Sequence, residues 1–354
     1  MVVKNWPCRV LVVDDSALMR RSVRQILEKN RRIEVVGTAR DGEDALVKAR
    51  ELKPQLITLD INMPKMDGLT CLAHLQEESP DITVVMVSSL TDAGASATLE
   101  AIELGAVGYV AKPGTMSMRL EQVEEEIIET VLGAHKMSLQ PQRRLRTTAS
   151  KVTTDVSTAT SSSRFDKLLL IGISTGGPST IMDVLPYLPA DYPYPVILLQ
   201  HMPATFTAGF AERLDRYCPL TVRESKNNIE IQTGTVTVIH GGINAEIRQE
   251  RVGHFQIRHR KADPKYFYYI PNIDFTIGTT IKCLGAKRII VVIMTGIGDD
   301  GARAANHVHR QGGIAIAEEK STCVVFGMPK VLADLGCDYV EPSHAIASRL
   351  EKLL

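Results

Sequence analysis

The sequence predicts an α/β protein built from two doubly wound parallel-sheet domains joined by a flexible linker. Three observations carry this expectation. Short apolar runs of β type alternate with amphipathic helical segments across residues 8–133, and the alternation restarts at residue 168. Polar residues suited to ligand chemistry directly follow several of those runs, where the ends of parallel strands meet along one edge. Between the two halves the texture changes to Ser, Thr and basic residues.

In chain order, the first half places strands at Val10–Val13, Ile33–Thr38, Leu56–Leu59, Thr83–Val87 and Val107–Val110. Between the first two, Ser16–Lys29 carries Leu18, Met19, Val23, Ile26 and Leu27 at helical spacing, with Ser16 as N-cap. Asp41-Gly42-Glu43-Asp44 opens the second helix with acidic first-turn residues, and Met118–Leu132 supplies a fifth. Strand-then-helix repetition of this kind calls for a parallel sheet covered on both faces. The first domain is assigned to residues 1–137.

Residues 138–165 are assigned to the linker. From Gln140 to Arg164 there are few large apolar side chains, too few to offset the entropy of ordering. The second domain, 166–354, places strands at Leu168–Ile171, Val196–Leu199, Thr235–Ile239, Ile289–Met294 and Ile314–Ala317. Helices follow Gly177 and cover Thr207–Tyr217, Ala302–Gln311 and His344–Leu353. Gly253–Tyr269, β-prone but charged, reads as an antiparallel excursion.

Composition excludes several classes. Among 354 residues, 41 basic and 41 acidic side chains balance, so no global field favours nucleic acid or anionic lipid. No helix-turn-helix pattern or basic recognition helix appears. No apolar stretch approaches the roughly 18 residues of a membrane span. Met1 to Pro7 lacks a secretory signature, so the expected location is the cytoplasm, without membrane insertion. Six cysteines without a CxxC pair read as buried free thiols.

The chemistry gathers at strand ends. Asp14 and Asp15 close the first run, Asp60 closes the third and Lys112 the fifth. Three carboxylates and one lysine at one sheet edge suit a Mg²⁺ ion and a transferred phosphoryl group. Asp14 and Asp15 supply metal-directed oxygens, Asp60 accepts phosphate, and the carbonyl of Asn62 completes the metal shell. Lys112 neutralises phosphoryl oxygens, Ser88 offers a hydroxyl to them, and Tyr109 has a ring able to change rotamer. At these residues the segment resembles a response-regulator receiver domain, which implies a flavodoxin-like fold. The resemblance also implies phosphorylation of Asp60 by a sensor histidine kinase in a Mg²⁺-dependent step.

In the second half, Gly172-Ile173-Ser174-Thr175-Gly176-Gly177 follows a strand and opens a helix. A G-x-S-x-G turn exposes a serine hydroxyl beside backbone N–H groups able to cradle an oxyanion. The loop lacks the residues of a P-loop or a dinucleotide fingerprint. His201 ends a strand expected to neighbour the serine strand, while Asp299 and Asp300 follow a third, so a triad can assemble at one edge. Spacing alone leaves Asp299 and Asp300 open. His240, His254, His259, His307 and His309 compete with His201 less well.

The second half resembles the catalytic domain of the chemotaxis protein-glutamate methylesterases, the CheB family. The resemblance is carried by Ile171 to Gly177, by Gln200-His201-Met202-Pro203 with Phe210-Ala211-Glu212-Arg213-Leu214, and by Thr322 to Pro329. It implies a Rossmann-like catalytic domain in which Ser174 is the nucleophile, His201 the base and Asp300 the orienting acid. The N–H of Thr175 is a candidate oxyanion donor, and Ile297 stands near that hole in place of the family's usual Met. The implied reaction hydrolyses glutamate γ-methyl esters and deamidates glutamines on methyl-accepting chemoreceptors, for sensory adaptation. No cofactor is implied for the esterase, and the chain is expected to be a monomer whose receiver covers the esterase edge until Asp60 is phosphorylated. The family's A-P-G loop with its following His reads here Ile239-His240-Gly241-Gly242-Ile243-Asn244, and P-S-V-D reads Pro271-Asn272-Ile273-Asp274. A receiver fused to a non-catalytic, esterase-derived binding module is the alternative reading.

Overall fold

The computed structural model describes residues 7–89, 91–112, 120–139, 162–263, 267 and 269–354. The chain forms two compact units that divide between Arg143 and Arg144. The expected linker run 140–161 lies outside the described residues. At its flanks Ser138 closes a helix, whereas Phe165 is already buried in the second unit's core.

In the first unit, strands β1 (Cys8–Val13), β2 (Ile33–Ala39), β3 (Leu56–Asp60), β4 (Thr83–Ser88) and β5 (Gly108–Ala111) form one parallel sheet in the order β2-β1-β3-β4-β5. Helices α1 (Ala17–Glu28), α2 (Gly42–Leu52), α3 (Gly68–Glu78), α4 (Asp92–Glu103) and α5 (Leu120–Ser138) cover it. Although the strands are apolar throughout, alternate residues serve opposite faces. Leu11, Val13, Val84 and Met86 join the core that includes Leu46, Leu72 and Leu75. Val10, Val12, Val85 and Val87 join the one that includes Val23, Leu27 and Ile127.

Ser16, Asp41, Asp67 and Thr91 cap the first four helices by accepting an N–H three residues on. Two expectations need correction. Leu18 is 73 % exposed, because at about 100° per residue it stands roughly 140° around the helix from Val23. The fifth helix continues six residues past Leu132, burying Ala134 and His135.

In the second unit the strands are β6 (Leu168–Ile173), β7 (Val196–Gln200), β8 (Thr221–Glu224), β9 (Ile229–Glu230), β10 (Thr235–Val238), β11 (Ile243–Arg251), β12 (His254–Lys261), β13 (Ile289–Ile293), β14 (Ile314–Glu318) and β15 (Tyr339–Glu341). The helices are α6 (Gly177–Thr180), α7 (Ala204–Tyr217), α8 (Ile273–Leu284), α9 (Ala302–Arg310), α10 (Met328–Leu335) and α11 (Ser343–Glu351). Seven strands pair in parallel in the order β15-β14-β13-β6-β7-β10-β8, and β11-β12-β9 form a small antiparallel sheet. The chain winds from β6 to one side and returns at β13 on the other. The topological switch therefore lies between β6 and β13, where such sheets open a crevice.

The expected antiparallel excursion contains β12, whose partner β11 lies before it and was not expected. The helix after Gly177 lasts one turn and gives way to short 3₁₀ turns, since Pro186 supplies no N–H to an α ladder. Helices α8 and α10 and strands β8, β9 and β15 were not foreseen. Helix α8 reads I-D-F-T-I-G-T-T-I-K-C-L, and its β-branched content masks the helical face formed by Ile273, Ile277, Thr280 and Leu284. All six cysteines are free; Cys283 and Cys337 are half-buried rather than buried. Among the described residues no helix is long and apolar enough to cross a membrane.

Candidate functional sites

The first site lies at the carboxyl ends of β1, β3 and β5. Asp14 and Asp60 are buried, Asp15 is exposed, and oxygens of the three lie within 4.8 Å of one another. Lys112 Nζ stands 2.9 Å from Asp14 and 2.8 Å from Asp60. Asp60 also accepts the N–H of Ile61 at 2.8 Å. Arg20 steadies the acidic loop by donating to the carbonyls of Asp14 and Asp15.

Burial pushes the Asp60 carboxyl above the usual carboxylate range; the Lys112 hydrogen bond opposes this and the charge of Asp14 adds to it. For Lys112, burial works against the charge, but bonds to Asp60 and Asp14 outweigh it and raise its pKa. Three carboxylates against one ammonium leave a formal deficit of two positive charges, which fits a divalent cation with oxygen ligands.

Asn62 is exposed on the loop after β3. Ser88 ends β4, and its hydroxyl accepts from Thr98 at 2.9 Å and donates to the Ser89 carbonyl at 3.1 Å. Tyr109 packs against the core that includes Leu59 and Met86. A Cβ at Gly68 would lie 2.1 Å from the Asp60 carbonyl oxygen, so glycine lets α3 start hard against the backbone of Asp60 and Ile61.

The second site occupies the switch point of the other sheet. Ser174 follows β6 and His201 follows the adjacent β7; their strands pair directly. His201 Nε2 lies 2.8 Å from Asp300 Oδ2, while His201 Nδ1 is buried and makes no hydrogen bond among the described residues. Asp299 is exposed and pairs with Arg303, whereas Asp300 is 6 % exposed. Asp300 also accepts from Asn272 Nδ2 at 2.9 Å, Ile273 N at 2.8 Å and Asp274 N at 3.0 Å. The start of α8 thus aims backbone N–H groups at the carboxylate, as helix N-termini do. Asn272 serves twice, because its side-chain oxygen also caps α8 at Phe275 N.

Gln200 ties the two strand ends together, donating to the carbonyls of Ser174 and His201 at 3.0 and 2.9 Å. Thr295 organises the other flank. Its carbonyl accepts Ser174 N, and its hydroxyl donates to the Thr175 carbonyl. Its own N–H reaches the buried Glu318 at 2.8 Å. Burial raises Glu318 to about 7, against the pull of Thr322 and Thr295.

Gly296 lies so close to Ser174 that a Cβ there would stand 2.6 Å from the serine Cβ. Among the described residues, the N–H groups of Thr175 and Ile297, on the loops after β6 and β13, donate no hydrogen bond. Tyr269 stacks on His201, with ring centroids 4.4 Å apart and planes 3° from parallel.

Sequence reasoning missed Asn272, Thr295, Glu318 and Tyr269. Only Asn272 left a signal, as an N-cap type before an apolar run. Among the competing histidines, His240, His254 and His309 pair with Glu224, Glu230 and Asp338, and His259 meets Ser225.

Residues 169–350 match the family described as CheB methylesterase, and residues 10–124 match the response regulator receiver domain. The chain belongs to the CheB methylesterase family. A protein from Caldanaerobacter subterraneus named protein-glutamate methylesterase/protein-glutamine glutaminase is 41 % identical over 97 % of this chain and 96 % of its own length. A second relative of that name, from Carboxydothermus hydrogenoformans, is 42 % identical over 98 % of this chain and 99 % of its own. The catalytic domain of the Thermotoga maritima CheB methylesterase superposes with a TM-score of 0.51 at 38 % identity, over 53 % of this chain and 98 % of that one.

Proposed function

We propose that this family member is a phosphorylation-regulated protein-glutamate methylesterase acting on chemoreceptors through Ser174, His201 and Asp300. The observation that carries the reading is the state of His201. One ring nitrogen is held by a fully engaged carboxylate, and the other is buried, without a hydrogen-bond partner among the described residues, at the sheet edge that bears Ser174. Asp300 accepts Nε2–H, which fixes the tautomer in which Nδ1 is the acceptor.

Ser174 Oγ attacks the ester carbonyl of a glutamate γ-methyl ester, and its proton passes to His201 Nδ1. The N–H groups of Thr175 and Ile297 receive the oxyanion; because a backbone group acts, the Ile side chain is tolerated where Met is usual. The tetrahedral centre collapses as Nδ1 returns the proton to departing methanol. Water then repeats the sequence, releasing glutamate and restoring Ser174. A glutamine side chain follows the same path with ammonia as leaving group.

In the receiver, Asp60 takes the phosphoryl group from a sensor histidine kinase. Asp14, Asp15, Asp60 and the Asn62 carbonyl would hold Mg²⁺, which when bound supplies positive charge to the phosphoryl oxygens. Lys112 contributes its own charge to the same oxygens. The Ser88 hydroxyl leaves the Thr98 bond to meet them, and Tyr109 repacks. That change raises the esterase rate.

The test is methanol release from methylated receptor membranes, with and without a small-molecule phosphodonor and Mg²⁺. Release that rises with phosphodonor and vanishes in Ser174→Ala supports the reading. Release persisting in Ser174→Ala removes the serine from its role. Release indifferent to phosphodonor removes the regulation and keeps the esterase.

A further inference from the structure

Tyr269 belongs to neither the serine, the histidine nor the acid strand, yet its ring lies flat on the His201 imidazole. At a centroid separation of 4.4 Å with parallel planes, the rings are offset-stacked. The Cε2 edge and the hydroxyl of Tyr269 approach Gly298. A Cβ built there would lie 3.5 Å from Tyr269 Cε2 and 3.8 Å from its hydroxyl, and Gly298 has the positive φ of 81° that glycine accepts. The ring therefore meets the imidazole with its face and the loop at Gly298 with its edge.

The loop presenting Tyr269 is anchored on both sides. Phe267 packs edge-on against Phe275 of α8, with centroids 5.8 Å apart. Asn272 is tied to Asp300 and, through its backbone N–H, to Asn244 at 2.8 Å.

We propose that Tyr269 is a positioning residue: it holds the His201 ring in line with Asp300 and stabilises the imidazolium formed when Ser174 loses its proton. This rests on the roles assigned to Ser174, His201 and Asp300 above. A single hydrogen bond at Nε2 fixes one point of the ring but leaves it free to tilt about that point. A parallel aromatic face removes the tilt. The same face presents the negative side of its quadrupole to a ring that becomes cationic during the reaction, well inside the roughly 6 Å over which such attraction acts. Asp300 bonds the ring directly; the Asp274 carboxylate accepts Ala304 N and interacts with the charge of Asp300, and Asp299 turns outward to Arg303.

The experiment compares Tyr269→Leu with Tyr269→Phe in the full chain. Two readouts are used: ester hydrolysis across pH, and NMR titration of the His201 imidazole, assigned by its loss in His201→Gln. Tyr269→Leu is expected to lower kcat about 2- to 30-fold with KM within twofold. The His201 titration and the acid limb of kcat/KM should move down by about 0.4 to 1.5 pH units. Tyr269→Phe, which keeps the face and loses only the hydroxyl, should stay within twofold on every readout. Following the His201 resonance itself keeps Asp274, which burial raises to about 6, from being mistaken for it.

Three results would each overturn the proposal. Tyr269→Leu could leave kcat and the His201 titration unchanged, Tyr269→Phe could fall as far as Tyr269→Leu, or Tyr269→Leu could raise KM alone. If the unaltered chain hydrolyses no methyl ester, the triad reading fails, while the His201 titrations of the two variants still decide whether the stack stabilises the imidazolium.

Discussion

Replacing Asp300 with Asn tests the esterase site most sharply, because the surroundings dictate how the amide must sit. Oδ1 accepts from Asn272 Nδ2 and Asp274 N, while Oδ2 accepts from His201 Nε2 and Ile273 N. An amide NH₂ at the Oδ1 position would confront both of its donors. Asn272 could turn its own amide only by giving up the cap at Phe275 N. An NH₂ at the Oδ2 position leaves only Ile273 N without a partner, provided His201 moves its proton to Nδ1. The second orientation therefore wins. It costs about 1–3 kcal/mol of stability for one buried unpaired N–H.

The chemical consequence is much larger than the structural one. With its proton on Nδ1, His201 has no acceptor for the Ser174 hydroxyl. A wrong tautomer in an otherwise intact triad lowers kcat by about 10⁴ in the serine-protease case, and a loss of about 10³–10⁴ is expected here. The assay is methanol release at saturating methylated receptor, alongside urea unfolding of the same preparation. A variant that keeps kcat within tenfold of the parent, with the fold intact, would refute the assignment of Asp300 and the tautomer argument together.

Three further outcomes are expected. Gly296→Ala places a methyl 2.6 Å from Ser174 Cβ and 2.4 Å from Met328 Sδ, so kcat should fall about 100-fold and thermal stability should drop; an unchanged rate would show the serine to be less constrained. Glu318 titrates near 7 in the fold against an ordinary 4.5, so the folded chain binds this proton more tightly than the unfolded one. Its contribution to stability should therefore fall by about 3 kcal/mol as pH rises from 4.5 to about 7. Glu318→Gln, which still accepts from Thr295 N, should remove that slope in urea titrations at pH 5 and 8; an equal slope in both chains would reject it. Asp60→Asn, and chelation of Mg²⁺ in the parent, should each abolish the response to phosphodonor without lowering the unstimulated rate; a surviving response would move the phosphoacceptor elsewhere.

Much of the fold was legible because parallel strands buried on both faces read as unbroken apolar runs. Val10 to Val13, Leu168 to Ile171 and Ile289 to Ile293 all have that form. The strand-end positions of Asp14, Asp60, Lys112, Ser174 and His201 followed from the same runs. Elements whose sequence argues against their structure were not legible. Helix α8 is rich in Ile and Thr, and β15 is a half-exposed three-residue strand beside β14. Their structure comes from packing partners far away in the chain, which local periodicity does not encode.

By itself, then, the sequence determined the fold class, the two-part organisation and the residue types that gather at each sheet edge. Those depend on hydrophobic period and on chemistry placed directly after strands, and both are local. Spacing left Asp299 and Asp300 open and the family resemblance favoured Asp300; only the tertiary structure shows the physical reason. Asp299 and Asp300 are adjacent in sequence, but one faces Arg303 and solvent while the other is buried against the N-terminus of α8. It alone revealed that Nδ1 is the imidazole's open nitrogen and that Tyr269 lies on the ring. The reason is physical: a hydrogen-bond partner or a stacked face is set by the crossing of elements some 25 to 100 residues apart, and no spacing along one strand or helix contains it.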